Sequence, residues 1–360
     1  MTTPPASPRR LVLAGAGKVG TYLLELLAAS SERLDRERGV RFRLVAVAEL
    51  GGAAIDPDGI EPRALVDAIR DGRPIWTLPG AGKPGVDAFE VLRDVEADIL
   101  IGATPTSLTH ESVGLGLTKA ALGRGWDVVL ADKGPLATAY YELAELAAVG
   151  PGVAVTRDRP TVQFSAATAG ALPSVALGRG LPGCTIKSIE GVLNGTSHLI
   201  LGLMESGADF HSALAEAQRQ GKAEADPTLD VEGWDPAAKL VIIANAVLDA
   251  HVGLDDVARQ GITEVTLADL EEARANEHRI IPLAQCLRNG DGWSLSVGPA
   301  AVPLGYALAK LDPTDLGIMF TADEVPRVLV STTETGAESA ATAVLRDLVA
   351  VAQTRMALGD

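Results

Sequence analysis

Cysteine is nearly absent from this chain of 360 residues, in which only Cys184 and Cys286 occur. The two are far apart and lack the spacing of metal ligands, so the sequence predicts neither a disulfide framework nor a zinc site. Runs of basic residues are missing as well, and 47 acidic against 31 basic residues give a formal net charge of −16. Nucleic acid and anionic membranes are therefore poor partners, because both are bound through patches of Lys and Arg.

The sequence also lacks a recognisable targeting or membrane-spanning segment. Its first residues, MTTPPASPRR, contain no apolar stretch behind a charged one, and no apolar run reaches the roughly 18 residues of a membrane span. We therefore expect a cytoplasmic protein. Its length and its 47% of hydrophobic residues are sufficient for two domains, each with its own core.

Strand-like and helix-like segments alternate through the first half of the sequence. The apolar runs RLVLAGA, FRLVAVAEL, ADILIGAT and WDVVLAD are each followed by a segment with helical spacing. Such alternation predicts right-handed crossovers and a parallel sheet with helices on both faces. The predicted fold class is therefore α/β, with a Rossmann-type, doubly wound dinucleotide-binding domain over residues 1–157.

The pattern changes in the second half of the chain. The strand-like segments IKSIEGVL and WSLSVGPAAVPL are separated by a long and mostly helical block. This order predicts a second, α+β domain over residues 158–319 that holds the substrate. The amphipathic segment TAVLRDLVAVAQTRMA predicts a C-terminal helix, within about residues 320–360, that packs back on the first domain.

A GxGxxG pattern follows the first predicted strand and precedes the first predicted helix. In a dinucleotide site the first glycine permits a tight turn, the second lets the backbone approach a pyrophosphate, and the third lets helix and strand pack closely. The context therefore favours cofactor binding over a purely structural turn. The predicted cofactor-binding residues of this loop are Gly15, Ala16, Gly17, Lys18, Val19 and Gly20.

Two further strand ends carry candidate cofactor contacts. Glu49 ends the second strand, where a carboxylate would accept hydrogen bonds from the adenosine ribose, and no Arg or Lys follows it in ELGGAAIDPDG. This favours NAD over NADP, which would need a cation for its 2′-phosphate. Thr104, in ILIGATPTS, lies where loops line the cofactor crevice. Alternatively, Glu49 could be a solvated glutamate at a strand end, and Thr104 could belong to a turn of small residues.

Lysine is the leading candidate for the proton transfer that must accompany hydride transfer. The five histidines lie in no recognised motif, and the paired tyrosines of ATAYYEL have no lysine four residues on. Lys133 follows a predicted strand in VVLADKGPLA. Lys239 lies one turn after Asp235 and Pro236, which we expect to be the N-cap and first residue of a buried helix.

From these residues alone, structural roles remain open for both lysines. Lys133 could be an ordinary surface residue, and Lys239 could merely pair with a capping Asp235. A calcium loop is disfavoured, because the acidic segment lacks the central glycine and terminal glutamate of an EF-hand.

Taken together, the motifs resemble those of the homoserine dehydrogenase family. AEADPTLDVEGWDPAAK, residues 223–239, matches the family pattern A-E-x-D-P-x-x-D-x-x-G-x-D-x-x-x-K throughout, and GVLNGTSHLIL, residues 191–201, contains its N-G-T substrate loop. ADKGPLA resembles its A-N-K-x-L-L-A strand end, and its D-P-D-G segment stands at 56–59. The resemblance covers most of the chain. It implies reversible interconversion of L-homoserine and L-aspartate 4-semialdehyde with NAD or NADP, in a homodimer formed through the second domain.

The resemblance also implies roles for individual residues. Lys239 would be the proton donor in the reducing direction, and Lys133 a second catalytic lysine near the nicotinamide. Paired carboxylates suit the ammonium group of such a small-molecule substrate. The implied substrate-binding residues are Glu224, Asp235, Gly195 and Thr196. The implied cofactor contacts outside the glycine loop include Thr104, Gly221 and Gly336.

Two segments depart from the family pattern. The E-A-x-V-G-x-G-I-P turn, whose backbone carbonyls can hold Na⁺, is SAATAGALP here, and its candidate backbone ligands are Ser165, Thr168, Gly170 and Leu172. The G-P-G-A-G loop is TTETGAES. No regulatory domain is expected after residue 360. The departures keep two alternatives open: a related dehydrogenase for another amino-acid aldehyde or alcohol, and a non-catalytic Rossmann-type NAD(P)-binding sensor.

Overall fold

The computed structural model describes residues 7–150 and 152–359, so residues 1–6 of the Pro-rich N-terminal segment lie outside the described residues. The chain forms two compact units. The first comprises Met1–Ala171 and Ala337–Asp360, and the second comprises Leu172–Gly336. Both boundaries between the two units lie later in the chain than the boundaries expected from the sequence. The reason is that the strand at Thr161–Gln163 joins the first sheet and the strand at Val328–Thr333 joins the second.

The first unit is built on one sheet with the strand order β4-β3-β2-β1-β5-β6-β8-β7. Six strands are parallel, and β3 and β4 extend one edge in antiparallel fashion. The strands are β1 (Arg9–Ala14), β2 (Phe42–Glu49), β3 (Gly52–Ile55), β4 (Gly82–Pro84), β5 (Ile99–Gly102), β6 (Asp127–Leu130), β7 (Ala148–Val149) and β8 (Thr161–Gln163).

Five helices accompany these strands: α1 (Lys18–Arg38), α2 (Pro62–Arg70), α3 (Ala88–Asp94), α4 (Val113–Gly123) and α5 (Gly134–Leu146). Leu11, Leu13, Val47 and Ile101 are fully buried, as expected of strands covered on both faces. The Rossmann-type prediction is confirmed. The charged segment SSERLDRER forms the last turns of α1, which places Glu49 unusually far from Gly15 in sequence.

The second unit is α+β and has the strand order β10-β12-β11-β9-β13-β14. Its pairs are antiparallel except β10 with β12. The strands are β9 (Ile186–Val192), β10 (Val257–Arg259), β11 (His278–Asn289), β12 (Gly292–Pro303), β13 (Asp315–Ala322) and β14 (Val328–Thr333). The helices are α6 (Ser174–Arg179), α7 (Gly195–Glu205), α8 (Phe210–Arg219), α9 (Thr228–Val231), α10 (Trp234–Leu248) and α11 (Leu267–Ala275).

The last helix, α12 (Ala337–Leu358), belongs to the first unit and packs against α1. Its Asp347 accepts hydrogen bonds from the backbone N–H and the hydroxyl of Ser165, both at 2.7 Å. Among the described residues no helix is both long and apolar enough to cross a membrane.

Candidate active site

The glycine loop between β1 and α1 has the geometry of a dinucleotide site. Gly15 has a φ of 98°, and a Cβ there would lie 2.4 Å from the carbonyl oxygen of Ala103. A Cβ at Gly20 would lie 2.2 Å from the carbonyl oxygen of Gly15. By contrast, no described atom lies within 4 Å of a Cβ at Gly17. Gly17 therefore faces open space at the helix N-terminus, where a phosphate can approach the backbone.

Glu49 lies beside this loop at the end of β2. Burial raises the pKa of its carboxyl above the usual value, and a hydrogen bond that this group accepts from the backbone of Ala16 opposes the rise. The strand end thus turns a half-buried carboxylate toward the glycine loop. The side chain of Trp76 packs against Gly51 and Gly52, which directly follow Glu49 and Leu50 in the chain. The antiparallel strand β3 therefore begins three residues after Glu49.

Thr104 contacts a buried carboxylate, Asp132, which directly precedes Lys133 in the chain and which the sequence did not single out. The Thr104 hydroxyl donates to Oδ2 of Asp132 at 3.1 Å, and the backbone N–H of Gly134 donates to Oδ1 at 2.9 Å. Lys133, half-buried, occupies the N-cap position of α5. Burial raises the pKa of Asp132, and these hydrogen bonds and the charge of Lys133 oppose that rise. The only signal in the sequence was the Asp of ADKGPLA.

In the second unit Lys239 is held at the first turns of α10. Its Nζ lies 2.7 Å from Oδ2 of Asp235 and donates to the carbonyl oxygen of Leu193 at 2.7 Å. The two side chains are only 13% and 10% exposed. A desolvated pair of this kind is restricted to one geometry, as a proton-transferring group requires.

The expected helix start at Asp235 is wrong by two residues. Helix α10 begins at Trp234, its N-cap is Gly233 with a φ of 81°, and no side chain caps it. Pro236 therefore sits at the third helical position, where its missing N–H is still one of the unpaired donors of the first turn. Asp235 does not cap because its carboxylate is taken by Lys239 and by Asn194.

Asn194 connects the N-G-T loop to the acidic segment. Its Nδ2 donates to Oδ1 of Asp230 at 2.7 Å and to Oδ2 of Asp235 at 2.8 Å, and its Oδ1 caps α7 through the N–H of Ser197 at 2.8 Å. Sequence reasoning named Gly195 and Thr196 of this loop but missed Asn194 and left Asp230 without a role. The signal was the Asn of N-G-T.

The two carboxylates of this cluster influence one another. Burial and then the charge of Asp235 raise the pKa of Asp230, while the amide of Asn194 and the charge of Lys239 lower it. The cluster therefore holds one cation, two acidic groups and a bridging amide in a largely buried place, which is an arrangement suited to moving one proton.

Of the other predicted substrate and cofactor residues of this unit, some form hydrogen bonds with other groups and others are exposed. The hydroxyl of Thr196 donates to the carbonyl oxygen of Lys222 at 2.9 Å. Glu224 and Gly221 are exposed. Gly336 donates its N–H to Oε1 of Glu334 at 2.7 Å. The roles of these residues stay predictions.

The four candidate Na⁺ ligands lie on a segment of 3₁₀-helix and turn. The carbonyl oxygen of Ser165 accepts the Thr168 hydroxyl at 3.3 Å, and that of Leu172 accepts the N–H of Ser174 at 2.8 Å. Gly170 has a φ of 61°. Among the described residues no cluster of His, Cys, Asp and Glu could hold a metal. The monovalent ion site stays a prediction.

Comparison with known proteins agrees with the two-unit fold and its motifs. A model of the homoserine dehydrogenase family matches residues 174–349. The NAD(+)-dependent homoserine dehydrogenase of Pseudomonas canavaninivorans is 33% identical over 350 residues, which are 96% of each chain. The homoserine dehydrogenase of Methanocaldococcus jannaschii is 32% identical over 94% of this chain and 97% of its own. A solved homoserine dehydrogenase from Thiobacillus denitrificans has a TM-score of 0.80 and 30% identity over 98% of this chain and 74% of its own.

Fold, glycine loop and relatives together define a Rossmann-type oxidoreductase that uses an NAD-type cofactor. Because relatives more than 30% identical are covered over nearly their whole length, the chain belongs to the homoserine dehydrogenase family. The resemblance drawn from the sequence motifs is thereby confirmed.

Proposed function

We propose that the chain catalyses the NAD-dependent interconversion of L-homoserine and L-aspartate 4-semialdehyde, with Lys239 as the proton donor in the reducing direction. The observation that carries the proposal is the placement of its Nζ, 2.7 Å from Asp235 and 2.7 Å from the Leu193 carbonyl. An ammonium group has three N–H donors. Two described acceptors take two of them, which leaves the third to donate to a substrate oxygen.

The nicotinamide, when bound, supplies or accepts the hydride at the substrate carbon. Lys239 gives a proton to the oxygen as the aldehyde becomes an alcohol, and it takes one back in the oxidising direction. Asp235 and Leu193 keep Nζ in a fixed position through both steps, which lowers the entropic part of the barrier. We assign Lys133 as the second lysine of the reaction.

The acidic segment supports an amino acid as the substrate. Glu224 and Asp235 are proposed to bind the substrate's amino group and hydroxyl, with Gly195 and Thr196 beside them at the start of α7. Asp230 adds a third carboxylate, partly buried, to this group. Carboxylates in a poorly hydrated place bind an ammonium through charge-assisted hydrogen bonds.

NAD is the proposed cofactor rather than NADP. The carboxylate of Glu49 would repel a 2′-phosphate and accept hydrogen bonds from ribose hydroxyls. Its contact with Ala16 keeps it beside the glycine loop, and the relative from Pseudomonas canavaninivorans is named NAD(+)-dependent.

A homodimer formed through the second sheet is also proposed. Helices α7, α10 and α11 pack on β11, on the face that carries Cys286. The opposite face carries Leu287 and Leu329, each 39% exposed. A second copy of the chain laid on this face would remove both leucines from water.

The test is oxidation of L-homoserine by the purified chain with NAD⁺ and with NADP⁺, comparing wild type with Lys239→Ala. We expect a loss of turnover of about 10²–10⁴-fold with NAD⁺ binding retained. Lys187→Ala, at an exposed ion pair with Asp323 on the same unit, is the matched lysine control and should behave as wild type. No oxidation by wild type with either cofactor would refute the activity, and full turnover in Lys239→Ala would refute the assigned donor.

A further inference from the structure

The buried carboxylate of Asp132 has no role in the function proposed so far. The residue is 2% exposed, and it lies after β6, where the neighbouring parallel strands also end. Its oxygens face the N–H of Gly134 at 2.9 Å, the hydroxyl of Thr104 at 3.1 Å and the side chain of Thr106. Three donors thus surround one carboxylate. Burial raises its pKa, and these donors oppose that rise because they stabilise the ionised form.

Glycines on two sides make room for this carboxylate. A Cβ at Gly114 would lie 2.2 Å from Oδ2 of Asp132, and a Cβ at Gly134 would lie 2.2 Å from the carbonyl oxygen of Ser107. The start of α4 therefore lies directly against Asp132, and the start of α5 lies against the loop after β5. The surrounding donors and the two glycines satisfy the Asp132 carboxylate and leave room for it, so its burial is specific to this site.

Thr104 links the carboxylate to the glycine loop. A Cβ at Gly15 would lie 3.0 Å from the backbone nitrogen of Thr104, so the hydroxyl and the glycine loop share one edge of the sheet. The strand order reverses between β1 and β5. In open α/β sheets, ligands bind at such a reversal.

The hydrogen bond to Asp132 fixes the polarity of the Thr104 hydroxyl. A hydroxyl has one hydrogen and two lone pairs, and an ionised carboxylate can only accept. The single hydrogen therefore points at Asp132, and Thr104 presents only lone pairs to a ligand. The ligand group that it contacts must be a donor, and the donors of a nicotinamide dinucleotide in this region are ribose hydroxyls and the carboxamide N–H.

We propose that Asp132 is a positioning residue for the cofactor, which acts by holding the Thr104 hydroxyl as a hydrogen-bond acceptor for a donor group of NAD. The inference rests on the proposed function, because it takes NAD as the ligand of the glycine loop. Asp132 itself does not touch the cofactor.

The experiment measures NAD⁺ binding to the full chain by calorimetry for wild type, Asp132→Asn, Thr104→Val and the double variant. An asparagine can still accept from Gly134, but its amide would donate to Thr104 and reverse the hydroxyl. We expect each single variant to bind NAD⁺ about tenfold more weakly, the size of one hydrogen bond. The double variant should be no weaker than Thr104→Val, because both changes act on the same hydroxyl.

Two controls separate this role from a merely structural one. Asp347→Asn changes another buried aspartate that accepts one backbone N–H and one hydroxyl, and it should leave the Kd of NAD⁺ unchanged. Thr104→Ser keeps the hydroxyl and should bind NAD⁺ as wild type does. A general loosening of the fold would not produce this pattern of coupling and rescue.

The outcomes are distinguishable. Wild type that binds neither NAD⁺ nor NADP⁺ would overturn the proposed function and this inference with it. Wild type that binds NAD⁺ with an unchanged Kd in Asp132→Asn, or additive losses in the double variant, would overturn the inference alone. If Asp132→Asn does not fold, equal affinities of Thr104→Val and Thr104→Ser would overturn it.

Discussion

Arg355, near the end of α12, forms a two-point ion pair with Asp127 at the start of β6. Nη2 lies 2.7 Å from Oδ1, and Nε donates to Oδ2 at 2.9 Å. The side chains are 8% and 7% exposed, and the guanidinium also donates to the carbonyl oxygens of Thr156, Arg157 and Arg159. The last helix of the chain is thereby fixed to the first sheet within one unit.

Arg355→Ala should destabilise the first unit by about 3–5 kcal/mol, because it leaves the Asp127 carboxylate buried without its cation. Arg346→Ala, on the same helix, removes a long and exposed hydrogen bond of 3.4 Å to Ala171 and a minor charge interaction with Asp347, and it should cost less than about 1 kcal/mol. Urea unfolding followed by circular dichroism would measure both. Equal unfolding midpoints for the two variants would show that the buried pair does not stabilise the helix contact.

Asp347 should make stability depend on pH. Burial raises its pKa to about 6, against the opposing effect of the Ser165 hydrogen bonds. The folded state then binds this proton more tightly than the unfolded state, whose pKa is about 3.9. The contribution of Asp347 to stability is therefore full below about pH 4 and is lost as the pH rises toward 6.

Asp347→Asn should remove that loss, since its amide can donate to the Ser165 hydroxyl while its carbonyl accepts the N–H. Relative to wild type, the variant should gain stability between about pH 4 and pH 6, by on the order of a few kcal/mol. Thermal melts across this range would measure the gain. A difference that stays constant with pH would contradict the assignment of the raised pKa to Asp347.

Much of the fold could be read from the sequence because its signals are local. The glycine pattern, the apolar runs and the alternation with helices predict the central parallel strands of the first sheet. The antiparallel edge of β3 and β4 was not foreseen. Its strands have four and three residues, too few to show a period.

The candidate site was only partly predictable, because its members meet through tertiary contacts. Lys239 and Asp235 are four residues apart and form the expected pair. Asn194 joins them from the loop before α7, which sequence spacing does not relate to Lys239. Asp230 lies in the same acidic segment as Asp235, but only its contact with Asn194 shows that it belongs to the site. Lys239 and Asn194 bind the carboxylate of Asp235, and Asp235 therefore does not cap the helix. Its residue type and the following Pro236 had favoured a capping role.

A charge on the face of the second sheet that carries Leu287 and Leu329 should prevent the chain from forming the proposed dimer. Leu329→Asp places a carboxylate among side chains that a second copy would bury, so the dimer should dissociate. Light scattering would show a monomer, with the circular dichroism spectrum unchanged. Leu146→Asp changes a leucine that is 47% exposed at the end of α5 and should leave the mass unchanged. A wild-type chain that is already monomeric would refute the proposed dimer.

Glu49 should set the choice between NAD and NADP. Glu49→Ser removes the charge that repels a 2′-phosphate and weakens the contact with the ribose hydroxyls. We expect NAD⁺ to bind about tenfold more weakly and the ratio of kcat/KM for NADP⁺ over NAD⁺ to rise. Steady-state kinetics with both cofactors would measure this ratio, with Glu61→Ser, which changes another acidic residue of the same unit at the start of α2, as the control. An unchanged ratio would mean that Glu49 does not face the ribose.

Asn194→Asp should separate the role of Asn194 as the amide that bridges Asp230 and Asp235 from its role as the cap of α7. The aspartate keeps an oxygen for the N–H of Ser197, so the melting temperature should change little. It loses the amide that lowers the pKa of Asp230 and adds a third carboxylate beside Asp235. The pKa of Asp230 should therefore rise further, and the acidic limb of the pH profile of kcat should move to higher pH. The value of kcat should also fall at every pH, because the added charge draws Lys239 away from its position. Asn194→Ala loses both functions and should lower the melting temperature as well. If Asn194→Asp kept the wild-type pH profile, the bridging amide would serve the helix alone.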